Sequence, residues 1–234
     1  MTANDVRAKL RSLGSPARAE MSKRYFKTGP GQYGEGDIFY GNSAAEMRGL
    51  AREYQALAED EILKLLRSPF HEERAVALLI FVRRFAKAEL AGRKRLYDLY
   101  LSHTAFINNW DLVDASAPHV VGAHLFDKSR KPLYTLARSR SLWERRISIV
   151  ATAYFIRQHD FGDTLALAER LLADKEDLIH KAAGWMLREV GKRDGDAARR
   201  FLVAHYQRMP RTMLRYAIER FPEAERQAYL KGLI

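Results

Sequence analysis

Lys181-Ala182-Ala183-Gly184-Trp185-Met186 sets a basic residue directly ahead of a run of small and apolar side chains, and three other stretches repeat that arrangement. They are Arg74-Ala-Val-Ala-Leu-Leu79, Arg146-Ile-Ser-Ile-Val150 and Arg215-Tyr-Ala-Ile218. In chain order the basic residues stand 72, 35 and 34 residues apart. The first gap is two periods of about 36, so a further copy is expected near residue 110. A period of this length with two helices per unit is the signature of a stacked helical solenoid. In this register Arg74, Arg146, Lys181 and Arg215 are expected to line one face as a basic stripe.

Working outward, nearly every segment has a helical hydrophobic period. Val6, Leu10 and Leu13 space a first short helix, and Ser15-Pro16 opens a second with Ser as N-cap and Pro at the first helical position. Ser43-Ala-Ala-Glu46 reads as a capping box, ahead of Met47, Leu50, Tyr54 and Leu57 on one face. Further breaks are expected at Ser68-Pro69, His103-Thr104, Asp127-Lys128, Ser139 to Ser141, Asp160 to Gly162, Asp174 to Glu176, Gly195 and Pro210. No stretch alternates as a strand would, and the class is all-α. One domain is expected over residues 1–234, with N-terminal helices in 1–27 and a loop at 28–42 preceding the repeats.

The 234 residues include 40 Lys and Arg against 29 Asp and Glu, a net charge of +11, which favours a polyanionic partner. The excess is concentrated: Lys128, Arg130, Lys131, Arg138, Arg140, Arg145 and Arg146 face only Asp127 and Glu144 between positions 127 and 150. Absence of cysteine excludes disulfides, Cys zinc sites and iron–sulfur clusters. The seven histidines lack metal-binding spacing, so no metal and no cofactor are expected. The longest apolar run, Ala75 to Val82, is too short to cross a bilayer, and the first 21 residues lack the apolar core of a signal peptide. A cytoplasmic, nucleoid-associated protein with no membrane partner is expected. Gly29-Pro-Gly31-Gln-Tyr-Gly34 matches a dinucleotide-binding pattern literally, but no strand precedes it and Pro30 removes a backbone donor. The stretch from Thr28 to Asp37 is expected to be a flexible connection that closes near a bound partner.

At the expected extra copy the pattern changes, to Asn108-Asn109-Trp110-Asp111-Leu112-Val113-Asp114. Trp110 and Asp114 are four apart and share a helical face. A carboxylate in a cationic stripe repels a polyanion unless it has a task; otherwise Asp111 or Asp114 caps a helix or pairs with a neighbouring Arg. Trp143 lies one turn before Arg146 and Trp185 one turn after Lys181, so all three tryptophans fall near the same register.

At these residues the sequence resembles the AlkD-type family of alkylpurine DNA glycosylases. The resemblance is carried by Trp110-Asp-Leu-Val-Asp114, by Leu142-Trp-Glu-Arg-Arg146 and, most specifically, by His180-Lys-Ala-Ala-Gly-Trp-Met-Leu-Arg-Glu189, and it runs from about Tyr25 to the C-terminus. It implies a C-shaped, right-handed superhelical solenoid of HEAT-like repeats holding duplex DNA. It further implies Asp114 as the catalytic carboxylate and Trp110 and Trp185 beside the deoxyribose of the damaged nucleotide. Arg146 would hold a nearby phosphate, with Lys181, Arg188, Arg74 and Arg215 as further backbone contacts. Relatives can place a second tryptophan where Asn109 stands, which bears on substrate breadth.

The chemistry suits these residue types. A purine alkylated at N3 or N7 is cationic and leaves readily, so the barrier lies in the oxocarbenium ion developing at C1′. An adjacent carboxylate stabilises that charge and can take a proton from the incoming water. The expected protein is a monomeric, monofunctional glycosylase of base excision repair. Two other readings compete: a HEAT-like DNA-binding protein without catalysis, and a HEAT-like scaffold for an acidic protein. DNA binding through the basic excess predicts that log K falls linearly with log[salt], by about 10³-fold between 50 and 200 mM salt for roughly six phosphate contacts. Fluorescence anisotropy on an undamaged duplex measures this, and salt-insensitive affinity contradicts it.

Overall fold

The computed structural model describes residues 1–234 and is all-helical, its one extended pairing being an isolated bridge between Ile38 and Phe70. Two compact units divide the chain, Met1–Val120 and Val121–Ile234.

In the first unit, α1 (Ala3–Leu13), α2 (Pro16–Tyr25), α3 (Ala44–Glu53), α4 (Glu59–Leu66), α5 (His71–Lys87), α6 (Leu90–Ser102) and α7 (Trp110–Ala117) follow one another. Their starts are chemically marked. Ser15 caps α2 with Pro16 behind it, and Ser43 and Glu46 form the reciprocal capping box expected for α3. Thr2 and Asp5 form a second box at α1. The central element is α5, packed against α3, α4 and α7. Its apolar face, with Val76, Ile80 and Phe81, joins Leu50, Leu57, Ile62 and Leu66 in a fully enclosed core. Val6 and Leu10 are buried as their spacing requires, whereas Leu13 is exposed at the helix end.

The second unit contains α8 (Ala123–Leu125), α9 (Lys131–Leu136), α10 (Leu142–Ala151), α11 (Ala153–Arg157), α12 (Gly162–Arg170), α13 (Asp177–Gly191), α14 (Gly195–His205), α15 (Arg211–Ala217) and α16 (Glu223–Lys231). Several are shorter than the hydrophobic period suggests. Thr152 interrupts α10 and α11, its hydroxyl turning back to the carbonyl of Ile149 at 2.6 Å, a side-chain-to-backbone bond that competes with the helix. Gly195 opens α14 instead of ending a helix, because Asp194 caps it by accepting from the Ala197 amide at 2.8 Å. The core helix is α13, packed on α10, α14 and α15.

Small residues in the repeated segments are there for close approach. At Gly184 a β-carbon would lie 2.4 Å from the Met213 carbonyl oxygen and 2.6 Å from the Tyr216 β-carbon, so α13 and α15 meet backbone to backbone. Gly122 is under the same constraint, with the Ala151 carbonyl oxygen 2.1 Å from where a methyl would sit. Neither obstacle is the movable end of a side chain. Gly184→Ala is therefore expected to destabilise the protein by about 1–3 kcal/mol despite the better helix propensity of Ala. Thermal melting checks this, and an unchanged or raised Tm contradicts it.

Candidate functional site

The first turn of α5 reads His71-Glu72-Glu73-Arg74, and all four side chains are buried, none more than 3% exposed. Buried charges survive only when paired and hydrogen-bonded. Glu72 accepts from the backbone amides of Tyr40, Gly41 and Asn42 at 3.1, 2.8 and 3.3 Å. Glu73 accepts from the Tyr40 hydroxyl at 2.7 Å and pairs with Arg7 at 2.9 Å. These contacts fix the end of the irregular segment 28–42 against α5.

His71 is the hub. Its Nε2 lies 2.8 Å from Asp111 Oδ2 on α7 and its Nδ1 lies 3.2 Å from Asp37 Oδ2. Arg74 Nη2 donates to the other Asp37 oxygen at 2.6 Å, and Arg74 Nη1 to the Ser68 carbonyl at 3.0 Å. The imidazole meets two phenyl rings that also stack on each other at 5.4 Å, Phe39 at 5.1 Å and Phe26 tilted at 4.7 Å. Burial alone would strip the His71 proton, but the Asp111 charge and the hydrogen bonds to both carboxylates prevail and raise its pKa to about 9. Burial likewise opposes ionisation of Asp37, yet the His71 hydrogen bond and the Arg74 charge hold its carboxyl below the usual range. At neutral pH the cluster is an imidazolium donating to two carboxylates.

Asn109, completely buried, is the N-cap of α7: its Oδ1 accepts from the Trp110 amide at 2.8 Å and its Nδ2 donates to Asp37 at 3.3 Å. Trp110, half-buried, meets Tyr25 edge-on and Phe26 at a tilt, both at 5.6 Å between ring centres. Asp114, one turn on, is half-buried, and its negative charge together with burial raises the pKa of the enclosed Tyr100 hydroxyl. The two acids of α7 therefore have different surroundings. Asp111 pairs with His71, where the sequence suggested a cap or an arginine. Asp114 lies on the face that carries Trp110.

The expected basic residues are not a uniform solvent-facing row. Arg74 is buried, and both its terminal nitrogens are engaged, by Asp37 and by the Ser68 carbonyl. In the second unit Arg146 is also buried and donates to the Leu178 carbonyl at 2.5 Å. Lys181 pairs with Asp177 at 2.8 Å, and Arg188 pairs with Glu219. Arg215 is exposed. Trp143 and Trp185 are half-buried. Of the dense basic stretch, Arg130 pairs with Asp160 and Asp163, and Arg145 with Asp174. Sequence reasoning missed His71, Asp37 and the Tyr25–Phe26 pair. An Asn just before a helical period is an N-cap signal that could have placed Asn109.

No group of three or more His, Asp or Glu side chains is arranged to hold a metal, and no helix is long and apolar enough to cross a membrane.

The fold and these residues define an all-helical, strongly basic protein with an aromatic–carboxylate face on one helix. A family model of DNA alkylation repair enzymes matches residues 6–221, and the chain belongs to that family. A solved structure of a predicted DNA alkylation repair enzyme from Enterococcus faecalis shares the fold, with a TM-score of 0.68 at 16% identity, covering 90% of this chain and 98% of its own. No curated protein sequence matches the chain.

The His71 cluster sets a pH dependence of stability. His71 has a folded pKa of about 9 against 6.5 when unfolded, so its contribution is complete below pH 6.5 and lost as pH rises through 9. That contribution is on the order of 3 kcal/mol. Asp37 acts oppositely, its contribution vanishing as pH falls through its lowered pKa. Chemical denaturation from pH 6 to 10 should show an alkaline decline that His71→Gln largely removes. Equal declines in the two proteins would contradict the charge assignment.

Proposed function

We propose that the protein is a monofunctional DNA glycosylase that hydrolyses the N-glycosidic bond of cationic N3- or N7-alkylated purines in duplex DNA. The observation that carries this reading is the pairing of Trp110 and Asp114 on one face of α7, beside Tyr25 and Phe26, in a member of the DNA alkylation repair enzyme family. The net charge of +11 supports a DNA partner.

The C1′–N bond breaks with its electron pair passing to the cationic base, which leaves neutral. Positive charge builds at C1′, where the Asp114 carboxylate stabilises it, with aromatic faces beside the sugar adding attraction. Water then bonds to C1′ and gives up a proton to Asp114, leaving an abasic sugar. The base needs no protonation, so no general acid is required.

In the second unit the reading gives Trp185 to the deoxyribose and Arg146, Lys181, Arg188 and Arg215 to the DNA backbone. These roles rest on the family resemblance, as does stacking of the helical pairs into HEAT-like repeats. Phosphate contacts fix register without reading sequence, so loss of Arg215 should weaken all duplexes alike.

Asp114→Asn keeps the side-chain shape and removes the charge. Folding and DNA affinity should be preserved, with base release slowed by about 10²–10³-fold, the scale for losing one preorganised charge-stabilising group. Asp111→Asn is the companion variant: loss of the His71 partner should lower Tm more than it slows release. Single-turnover release of 7-methylguanine from methylated duplex DNA, with melting alongside, measures both. Full activity in Asp114→Asn would sink the catalytic assignment, and DNA binding without any base release in the wild type would favour the non-catalytic alternative.

A further inference from the structure

We propose that His71 is a positioning residue for base release: as an imidazolium donating to Asp37 and Asp111, it locks the first turn of α7 and so fixes how Trp110 and Asp114 are presented. This rests on the glycosylase reading above and adds to it a charged, buried device behind the substrate-facing side chains.

Three contacts, each backed by His71, converge on that turn. Asp111, its second residue, is held by His71 Nε2 at 2.8 Å. Asn109, its cap, is held from outside by Asp37 at 3.3 Å. Asp37 is itself held by His71 Nδ1 and by Arg74 Nη2 at 2.6 Å. Phe26 is in ring contact with both His71 and Trp110, at 4.7 and 5.6 Å between ring centres. Thus one imidazole supports the α7 turn through a carboxylate, through the capping asparagine's partner and through an aromatic ring. Asp114 lies one turn beyond Trp110 and three residues beyond Asp111, so a rotation or fraying of that turn displaces it. A misplacement of about 1 Å costs on the order of 10²-fold in rate when a charge must sit beside a reacting carbon.

Protonation decides whether this support exists. The groups facing the ring are Asp37 from the 28–42 segment, Asp111 from α7 and Arg74 from its own helix, with the uncharged rings of Phe26 and Phe39 also in contact with it. A neutral imidazole has one N–H and can donate to only one of the two carboxylates. The other is left buried against a lone pair, and the α7 turn loses either its direct tie or the support of its cap. Against the burial that favours the neutral ring, the two carboxylates keep it charged to about pH 9.

The test is single-turnover base release by the full-length protein from methylated duplex DNA between pH 6 and 10.5, with far-UV circular dichroism at each pH. Wild type, His71→Gln and Asp37→Asn are compared, and variant-to-wild-type ratios cancel titration of the lesion. The wild-type rate should fall above about pH 9 while the helical signal persists. Asp37→Asn removes one carboxylate and should move that alkaline limb to lower pH, whatever its rate on the acidic plateau. His71→Gln should lower the maximal rate at least 10-fold, with little change in the DNA concentration giving half-saturation, and should flatten the limb. If His71→Gln does not fold, the wild-type and Asp37→Asn limbs decide the matter. An unmoved limb in Asp37→Asn, or full activity in folded His71→Gln, overturns the proposal while leaving the glycosylase reading intact. Absence of base release from the wild type overturns both.

Discussion

A buried histidine ring held by two carboxylates and packed against a stacked pair of phenyl rings is the contact on which the first unit depends. Moving a single charge into such a place costs several kcal/mol, and an unpaired one would not persist. Here the charges balance: the Asp37 and Asp111 carboxylates meet the His71 imidazolium and the Arg74 guanidinium. Each partner comes from a different part of the chain, so pairing the charges also docks the 28–42 segment and α7 onto α5. Glu72 and Glu73 extend the logic by taking up three backbone amides, the Tyr40 hydroxyl and Arg7. A segment with almost no regular structure of its own is thereby tied to the most buried helix of its unit.

That arrangement explains why the sequence was clear about helices and opaque about this cluster. Capping signals are local: Ser15-Pro16 and the Ser43–Glu46 box act within four residues, and the structure shows both. The apolar period of α5 is equally local, and Val76, Ile80 and Phe81 are buried as it requires. The His71–Asp37 and His71–Asp111 pairs span 34 and 40 positions, and nothing in the spacing of polar residues along a chain reveals which will meet. In fact His71-Glu-Glu-Arg74 looks like a solvated helix start, with acids in the first turn where the helix dipole favours them. Its burial is a tertiary decision. The same lesson applies to Arg74 and Arg146, whose register matches Lys181 and Arg215 but which are both buried and bonded to backbone carbonyls.

On α7 the sequence offered two aspartates without saying how they differ. Three positions of helix rotate Asp111 and Asp114 into distinct environments, one on His71, the other half-buried on the Trp110 side and close enough to raise the Tyr100 pKa. The two acids are therefore separated by what each meets, although they stand only three positions apart.

Asn109 carries the argument to the edge of the site. Its amide caps α7 with one atom and steadies Asp37 with the other, in a position with no exposure at all. A tryptophan there could neither accept from the Trp110 amide nor reach Asp37 as a donor within the same space, and its ring would have to point elsewhere. The asparagine thus belongs to the His71 network, behind the substrate-facing surface. The aromatic character of this part of the site comes instead from Trp110 backed by Tyr25 and Phe26, rings contributed by the end of α2. One consequence follows for the proposed chemistry. On the proposed reading, selectivity for cationic lesions would rest on charge and on access to the sugar, because Asn109 adds no second indole to grip a base.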